Sequence, residues 1–307
     1  MTGRADGPAV QVRGLHKRYG AKRAVDGLDL QVERGEIVAV LGPNGAGKTT
    51  TVETLEGFRR ADAGHVRVLG EDPATAGRAW RSRIGVVLQT NDDLAEATVR
   101  ELVHHFAGFY PTPRDPEDVI DAVGLREKVG TRARQLSGGQ RRRLDVALGV
   151  VGDPELLFLD EPTTGFDPEA RLEFWELVEG LRAGGTTILL TTHYLDEAER
   201  LADRVVVVAQ GRVVAEGTPA EIGGRAGRHA RVRWTVDGVG HEESTDSPTA
   251  LVARLAATVG AQTGEVPGLQ VLRPTLEDVY LSLIGEAATA AGTSNAASSG
   301  TGTEEAA

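Results

Sequence analysis

Residues 42–50 read GPNGAGKTT, and Gly42, Gly47, Lys48 and Thr49 fit the spacing G-x-x-x-x-G-K-[ST] of a loop that cradles phosphate. The residue types follow from that chemistry. Gly42, Gly45 and Gly47 let the backbone turn and approach a ligand with no side chain in the way. Pro43, Asn44, Ala46 and Thr50 complete the binding stretch, whose amides and following helix start turn positive partial charge toward an anion. Lys48 adds a full charge for the terminal phosphates, and the Thr49 hydroxyl can ligate magnesium. A second anion site is legible at Leu136-Ser137-Gly138-Gly139-Gln140, where Ser137 stands as an N-cap before a helical run over 141–151. A third stretch, Leu156-Leu157-Phe158-Leu159-Asp160-Glu161, is an apolar strand ending in two acids. One carboxylate can organise magnesium and its waters, and the next can take a proton from an attacking water.

These groups need elements to hold them. Ile37 to Leu41 form a continuous apolar run of strand length before the phosphate loop, and 50–56 read as a helix ended by Gly57. Earlier, Val10-Gln11-Val12 and Leu28-Asp29-Leu30-Gln31-Val32 alternate as half-buried strands do, with Tyr19-Gly20 as a loop between them. Short strands are expected at 66–70 and 84–88. From about 98 to 150 the spacing turns helical, with Val99, Leu102, Val103 and Phe106 on one face. Apolar strands at 156–159, 187–190 and 205–208 then alternate with helices at 169–182 and 195–202. The fold expected is an α/β core with a mainly parallel sheet, an antiparallel β subdomain and a helical insertion over about 90–150. That core should span 9–222. A small α+β unit is expected over 229–285. It should hold a strand at 229–237, a helix opening at Ser247-Pro248 and another opening at Thr275-Leu276-Glu277-Asp278. Residues 286–307 lack apolar periodicity and read as a disordered tail.

Composition narrows the function. A net charge of −11 argues against nucleic acid as the main partner. With no cysteine there is neither a disulfide nor a thiolate metal site. No run approaches the roughly 18 apolar residues needed to span a bilayer. The stretch MTGRADGPAV has no apolar core of signal-peptide length, so a cytosolic chain is expected.

Taken together, GPNGAGKTT, LSGGQ, LLFLDEP, TTGFD at 163–167 and TTH at 191–193 resemble the nucleotide-binding subunit of an ABC transporter, in that family's order and spacing. The resemblance covers about residues 9–219. It implies ATP and Mg2+ as cofactors. It implies that Tyr19 stacks on adenine, Gln89 ligates magnesium and senses a membrane partner, and Asp160 holds magnesium through water. Glu161 would be the general base, His193 would touch the γ-phosphate, and Asp167 would lie at a dimer interface. Phe166 stands where leucine is more usual. Ser137, Gly138, Gly139 and Gln140 would close the ATP site of a second copy, making an ATP-sandwich homodimer. Finer stretches, among them GRVVAEGTP at 211–219 and PTLEDVYLSLIG at 274–285, are similar to the daunorubicin-resistance branch of ABC-2-type exporters. That likeness implies a separate integral-membrane permease, a peripheral place on the cytoplasmic face of the membrane, and export of a drug-like molecule that this chain does not itself specify. The alternative is a soluble regulatory or translation-related ATPase without a transport partner. Arg141-Arg142-Arg143 read as a solvated, partner-facing surface.

Overall fold

The computed structural model describes residues 7–87, 96–225, 230–261, 264–272 and 275–297. The chain divides into two compact units, one ending at Glu216 and the other beginning at Gly217.

The first unit opens with β1 (Val10–Tyr19) and β2 (Lys22–Val32), an antiparallel pair. Tyr19 is the last residue of β1, paired with Lys22, rather than a residue of the loop. Next come β3 (Ile37–Leu41), the phosphate loop and α1 (Lys48–Leu55). β4 (Ala63–Val68) pairs antiparallel with the other side of β1, giving the expected antiparallel portion. A short α2 (Arg78–Arg81) leads into β5 (Ile84–Val87).

The helical portion holds α3 (Val99–Ala107), α4 (Pro116–Ala122) and α5 (Gly138–Val150). Thr98 and Glu101 form a reciprocal capping box at the start of α3, and Asp115 caps α4 ahead of Pro116. The chain then alternates through β6 (Leu156–Asp160), α6 (Pro168–Ala183), β7 (Thr187–Thr192), α7 (Leu195–Leu201), β8 (Arg204–Ala209) and β9 (Arg212–Gly217).

Among the described residues the main sheet runs β5-β6-β7-β3-β8-β9. The pairs β5–β6, β6–β7, β7–β3 and β3–β8 are parallel. All of β3 and β7 is buried, which is why their sequences run apolar or small without alternation. The register decides where the chemistry falls. Leu41 lies opposite Thr192, and Asp160 lies opposite Thr191. The carboxyl ends of β3, β6 and β7 therefore finish at one edge of the sheet, where ligands of open α/β sheets bind.

The second unit holds α8 (Pro219–Arg225), β10 (Ala230–Val236), β11 (Val239–Thr245), α9 (Pro248–Thr258), β12 (Gln270–Leu272) and α10 (Leu276–Ala297). Its sheet runs β11-β10-β12, and Val232, Leu251 and Leu255 form a small core between β10 and α9. Two sequence expectations differ from this. Residues 217–222 fall in the second unit, where α8 lies against α10. And α10 continues past 285 to Ala297, inside the stretch read as a disordered tail. Its later turns are rich in alanine, the best intrinsic helix former, so they need no apolar stripe to be helical. Residues 298–307 and His229 lie outside the described residues.

Candidate active site

The phosphate loop is pinned between two backbone segments. A Cβ on Gly47 would sit 2.4 Å from the Ala24 carbonyl oxygen, and Gly47 holds φ +107°. A Cβ on Gly42 would sit 2.3 Å from the Val208 carbonyl oxygen. The Gly211 amide donates to the Ala46 carbonyl (2.8 Å), and the Asp26 amide donates to the Gly211 carbonyl (2.9 Å). So β2 and the β8–β9 turn together mould the loop. Lys48 is buried and donates to the Gly42 and Pro43 carbonyls at 2.6 and 3.3 Å. Burial lowers its pKa, while the Glu161 and Asp160 carboxylates pull the other way. Asn44, Gly45, Ala46, Gly47, Lys48, Thr49 and Thr50 line a cleft of about 210 Å³ that also takes in Tyr19 and Glu161. Tyr19 is 41% exposed, with the Arg59 guanidinium 5.4 Å from its ring centroid.

Across the cleft stands the acid end of β6. Glu161 holds φ +44°, a left-handed conformation that a non-glycine residue rarely adopts. Its amide donates to the Thr191 carbonyl (3.0 Å) and also to the Thr191 hydroxyl (3.2 Å). Its carboxylate Oε2 lies 3.4 Å from His193 Nδ1, just beyond the end of β7. The Thr191 hydroxyl donates to Asp160 Oδ1. Glu161, with the His193 imidazole beside it, thus shares the cleft with the buried Lys48 ammonium, while His193 and Asp160 do not themselves line it.

The other expected residues fall elsewhere. Ser137 caps α5: its hydroxyl accepts from the Gln140 amide (3.3 Å), and the Gln140 side chain accepts from the Ser137 amide (3.2 Å). Ser137, Gly138, Gly139 and Gln140 do not line the cleft. Nor does Asp167, whose carboxylate caps α6 by accepting from the Ala170 amide (2.8 Å). Phe166 meets Phe174 edge to face at 5.9 Å. Gln89 lies outside the described residues.

The arginine triplet needs correction. Arg142 is buried, and burial lowers its pKa. It donates through Nε to the Pro162 carbonyl (3.0 Å) and through Nη2 to the Asp160 carbonyl (2.8 Å), tying α5 to the acid end of β6. Arg143 pairs with Glu173 on α6. Arg142, Asp145, Val146 and Gly149 share one helix face at i, i+3, i+4 and i+7, and all four are buried. An arginine on a stripe with Val146 and Gly149 is the signal that sequence reasoning passed over. Thr191 is the second residue missed.

A phosphate loop between a buried parallel strand and a helix, facing a strand that ends in two acids, defines a nucleoside triphosphatase of the phosphate-loop class. The ABC transporter family matches residues 25–164. The chain is 42% identical over 306 residues to the daunorubicin resistance ATP-binding protein DrrA3 of Streptomyces coeruleorubidus, covering 91% of this chain and 96% of that one. It is 39% identical to the daunorubicin/doxorubicin resistance ATP-binding protein DrrA of Streptomyces peucetius, covering 94% and 96%. The Nod factor export ATP-binding protein I of Ralstonia nicotianae is 45% identical, over 70% of this chain and 68% of its own. A solved ATP-binding subunit of an ABC transporter superposes with a TM-score of 0.65 at 28% identity, covering 71% of this chain and 93% of that one. The ADP conformation of an ABC transporter ATP-binding cassette does so with a TM-score of 0.63 at 26% identity, covering 70% and 92%. The chain belongs to the ABC transporter ATP-binding family. It is an ATPase with the α/β phosphate-loop fold that the sequence implies. Among the described residues no helix is long and apolar enough to cross a membrane.

Proposed function

We propose that this chain hydrolyses ATP to power export of a small, drug- or antibiotic-like molecule through a separate membrane permease, working at the cytoplasmic face. The observation that carries the ATPase half is the single cleft shared by the phosphate loop and Glu161. The export half rests on the near full-length likeness to daunorubicin resistance ATP-binding proteins.

In this reading Tyr19 stacks on the adenine, while Lys48, the loop amides and the α1 N-terminus offset the triphosphate charge. Thr49 and Asp160 would hold Mg2+, with Gln89 as a further ligand. Among the described residues no three His, Asp or Glu side chains form a metal cluster of their own. One hydroxyl and one carboxylate suit magnesium, which takes its remaining ligands from phosphate and water. When bound, it would neutralise charge on the terminal phosphates. Glu161 takes the proton of the attacking water, and His193, within reach of Glu161, contacts the γ-phosphate. Ser137, Gly138, Gly139 and Gln140 close the cleft of a second copy, with Asp167 at the seam. Their placement outside this chain's own cleft supports that role. ATP then acts as a ligand that favours the closed pair, and hydrolysis releases it.

Glu161→Gln tests the reading. It should retain ATP affinity, lose about 10²–10⁴ in turnover and accumulate an ATP-bound dimer by light scattering. Turnover near the unmodified level would overturn it.

A further inference from the structure

Thr191 is fully buried, and it lies directly opposite Asp160 in the β6–β7 register. A threonine hydroxyl has one hydrogen to give and lone pairs to accept with. Here both functions are used on the acid end of β6. The hydrogen goes to Asp160 Oδ1, and the oxygen accepts from the Glu161 amide at 3.2 Å. The same amide reaches the Thr191 carbonyl at 3.0 Å, so a bifurcated bond holds Glu161 in its left-handed conformation. His193, two residues along and just past the end of β7, stands beside Glu161. Thr192, on the opposite side of the strand, turns its hydroxyl elsewhere, accepting from the Tyr194 amide at 3.0 Å and bonding the Glu197 carboxylate on α7.

We propose that Thr191 is the positioning residue of the hydrolytic site: its hydroxyl orients the Asp160 carboxylate toward magnesium and fixes the backbone from which Glu161 projects. The hydrogen that Thr191 gives to Oδ1 fixes how the Asp160 carboxylate is turned at the end of β6. Glu161 keeps the carbonyl bond without the hydroxyl, so the larger consequence falls on Asp160. The inference rests on the roles proposed above for Asp160 and Glu161.

The test compares Thr191→Val, which keeps the shape and removes the hydroxyl, with Thr191→Ser, which keeps the hydroxyl. Three quantities are read on the full chain: ATP turnover against Mg2+ concentration, Mn2+ affinity by EPR with a non-hydrolysable ATP analogue, and affinity for a fluorescent ATP analogue in EDTA. Thr191→Val should lower kcat and weaken Mn2+ binding by roughly tenfold each, and leave metal-free nucleotide affinity unchanged. Thr191→Ser should stay within about twofold of the unmodified protein. A valine variant with unaltered turnover and metal affinity overturns the proposal. So does a serine variant as impaired as the valine one, because packing rather than the hydroxyl would then be responsible. If the valine variant does not fold, Thr191→Ala against Thr191→Ser makes the same comparison. Glu161→Gln is measured alongside. An active Glu161→Gln removes the site assignment itself, whereas an inactive one beside a fully active Thr191→Val removes only the role of Thr191.

Discussion

Gly47 shows how tightly one residue is specified. Its φ of +107° is hostile to any side chain, and a Cβ there would meet the Ala24 carbonyl oxygen at 2.4 Å. That neighbour is β2 backbone, which cannot swing aside as a side chain could. Gly47→Ala should therefore move the loop itself, at a cost of about 1–3 kcal/mol or more. We expect ATP affinity to fall more than tenfold, read with a fluorescent nucleotide, while far-UV circular dichroism stays unchanged. Wild-type affinity would show that the loop tolerates the shift. Lys48 and Thr49 beside it are legible in the sequence because phosphate chemistry needs them at fixed spacing. Tyr19 is legible as an aromatic near the hairpin turn, though its place inside β1 is not.

At the scale of elements, local patterns could be read and long-range ones could not. The phosphate loop, the acid-ended β6 and the cap at Ser137 each lie within a short window, so spacing alone reveals them. Arg142 and Thr191 find their partners 18 and 31 residues away, and only the sheet order brings these together. Nothing in a run of three arginines says that the middle one turns inward. The turns of the C-terminal helix beyond 285 escape the sequence for another reason. Periodicity reports burial, and an alanine-rich helix can form with little of it. The Arg142 tie carries a prediction of its own. Arg142→Gln would leave the Pro162 and Asp160 carbonyls without their charged donor in a buried setting. A loss on the order of 2 kcal/mol is expected, seen as a lower urea midpoint. ATP turnover should fall with it, since the same bonds hold the backbone of Asp160. An unchanged midpoint would mean that water replaces the guanidinium at little cost.

At the scale of the whole molecule, stability should depend on pH through carboxyls whose burial on folding outweighs the pull of nearby charge. Glu56, at the end of α1, is pushed up to about 7 by burial, with Asp160 and Glu53 adding repulsion. Asp145, on α5, is pushed up to about 6 by burial, against the pull of Arg142 and Arg141. Both line one cavity of about 500 Å³ with Phe58, Phe106 and Tyr110. The sign follows from proton binding. Between the ordinary glutamate value of 4.5 and about 7, the folded chain holds a proton on Glu56 that the unfolded chain has released. Folding is thus favoured at the acid end of that window, and the advantage is lost as pH rises through it. Above about 7 the penalty is constant, on the order of 3 kcal/mol for Glu56. Asp145 adds a loss of the same sign from 3.8 to about 6. Glu56→Gln keeps the shape and removes the titration. It should raise the melting temperature by roughly 5 °C at pH 8 and by much less at pH 5. An equal shift at both pH values would mean that Glu56 titrates as an exposed glutamate does, and that the acid-facing cavity is wetter than its apolar walls imply.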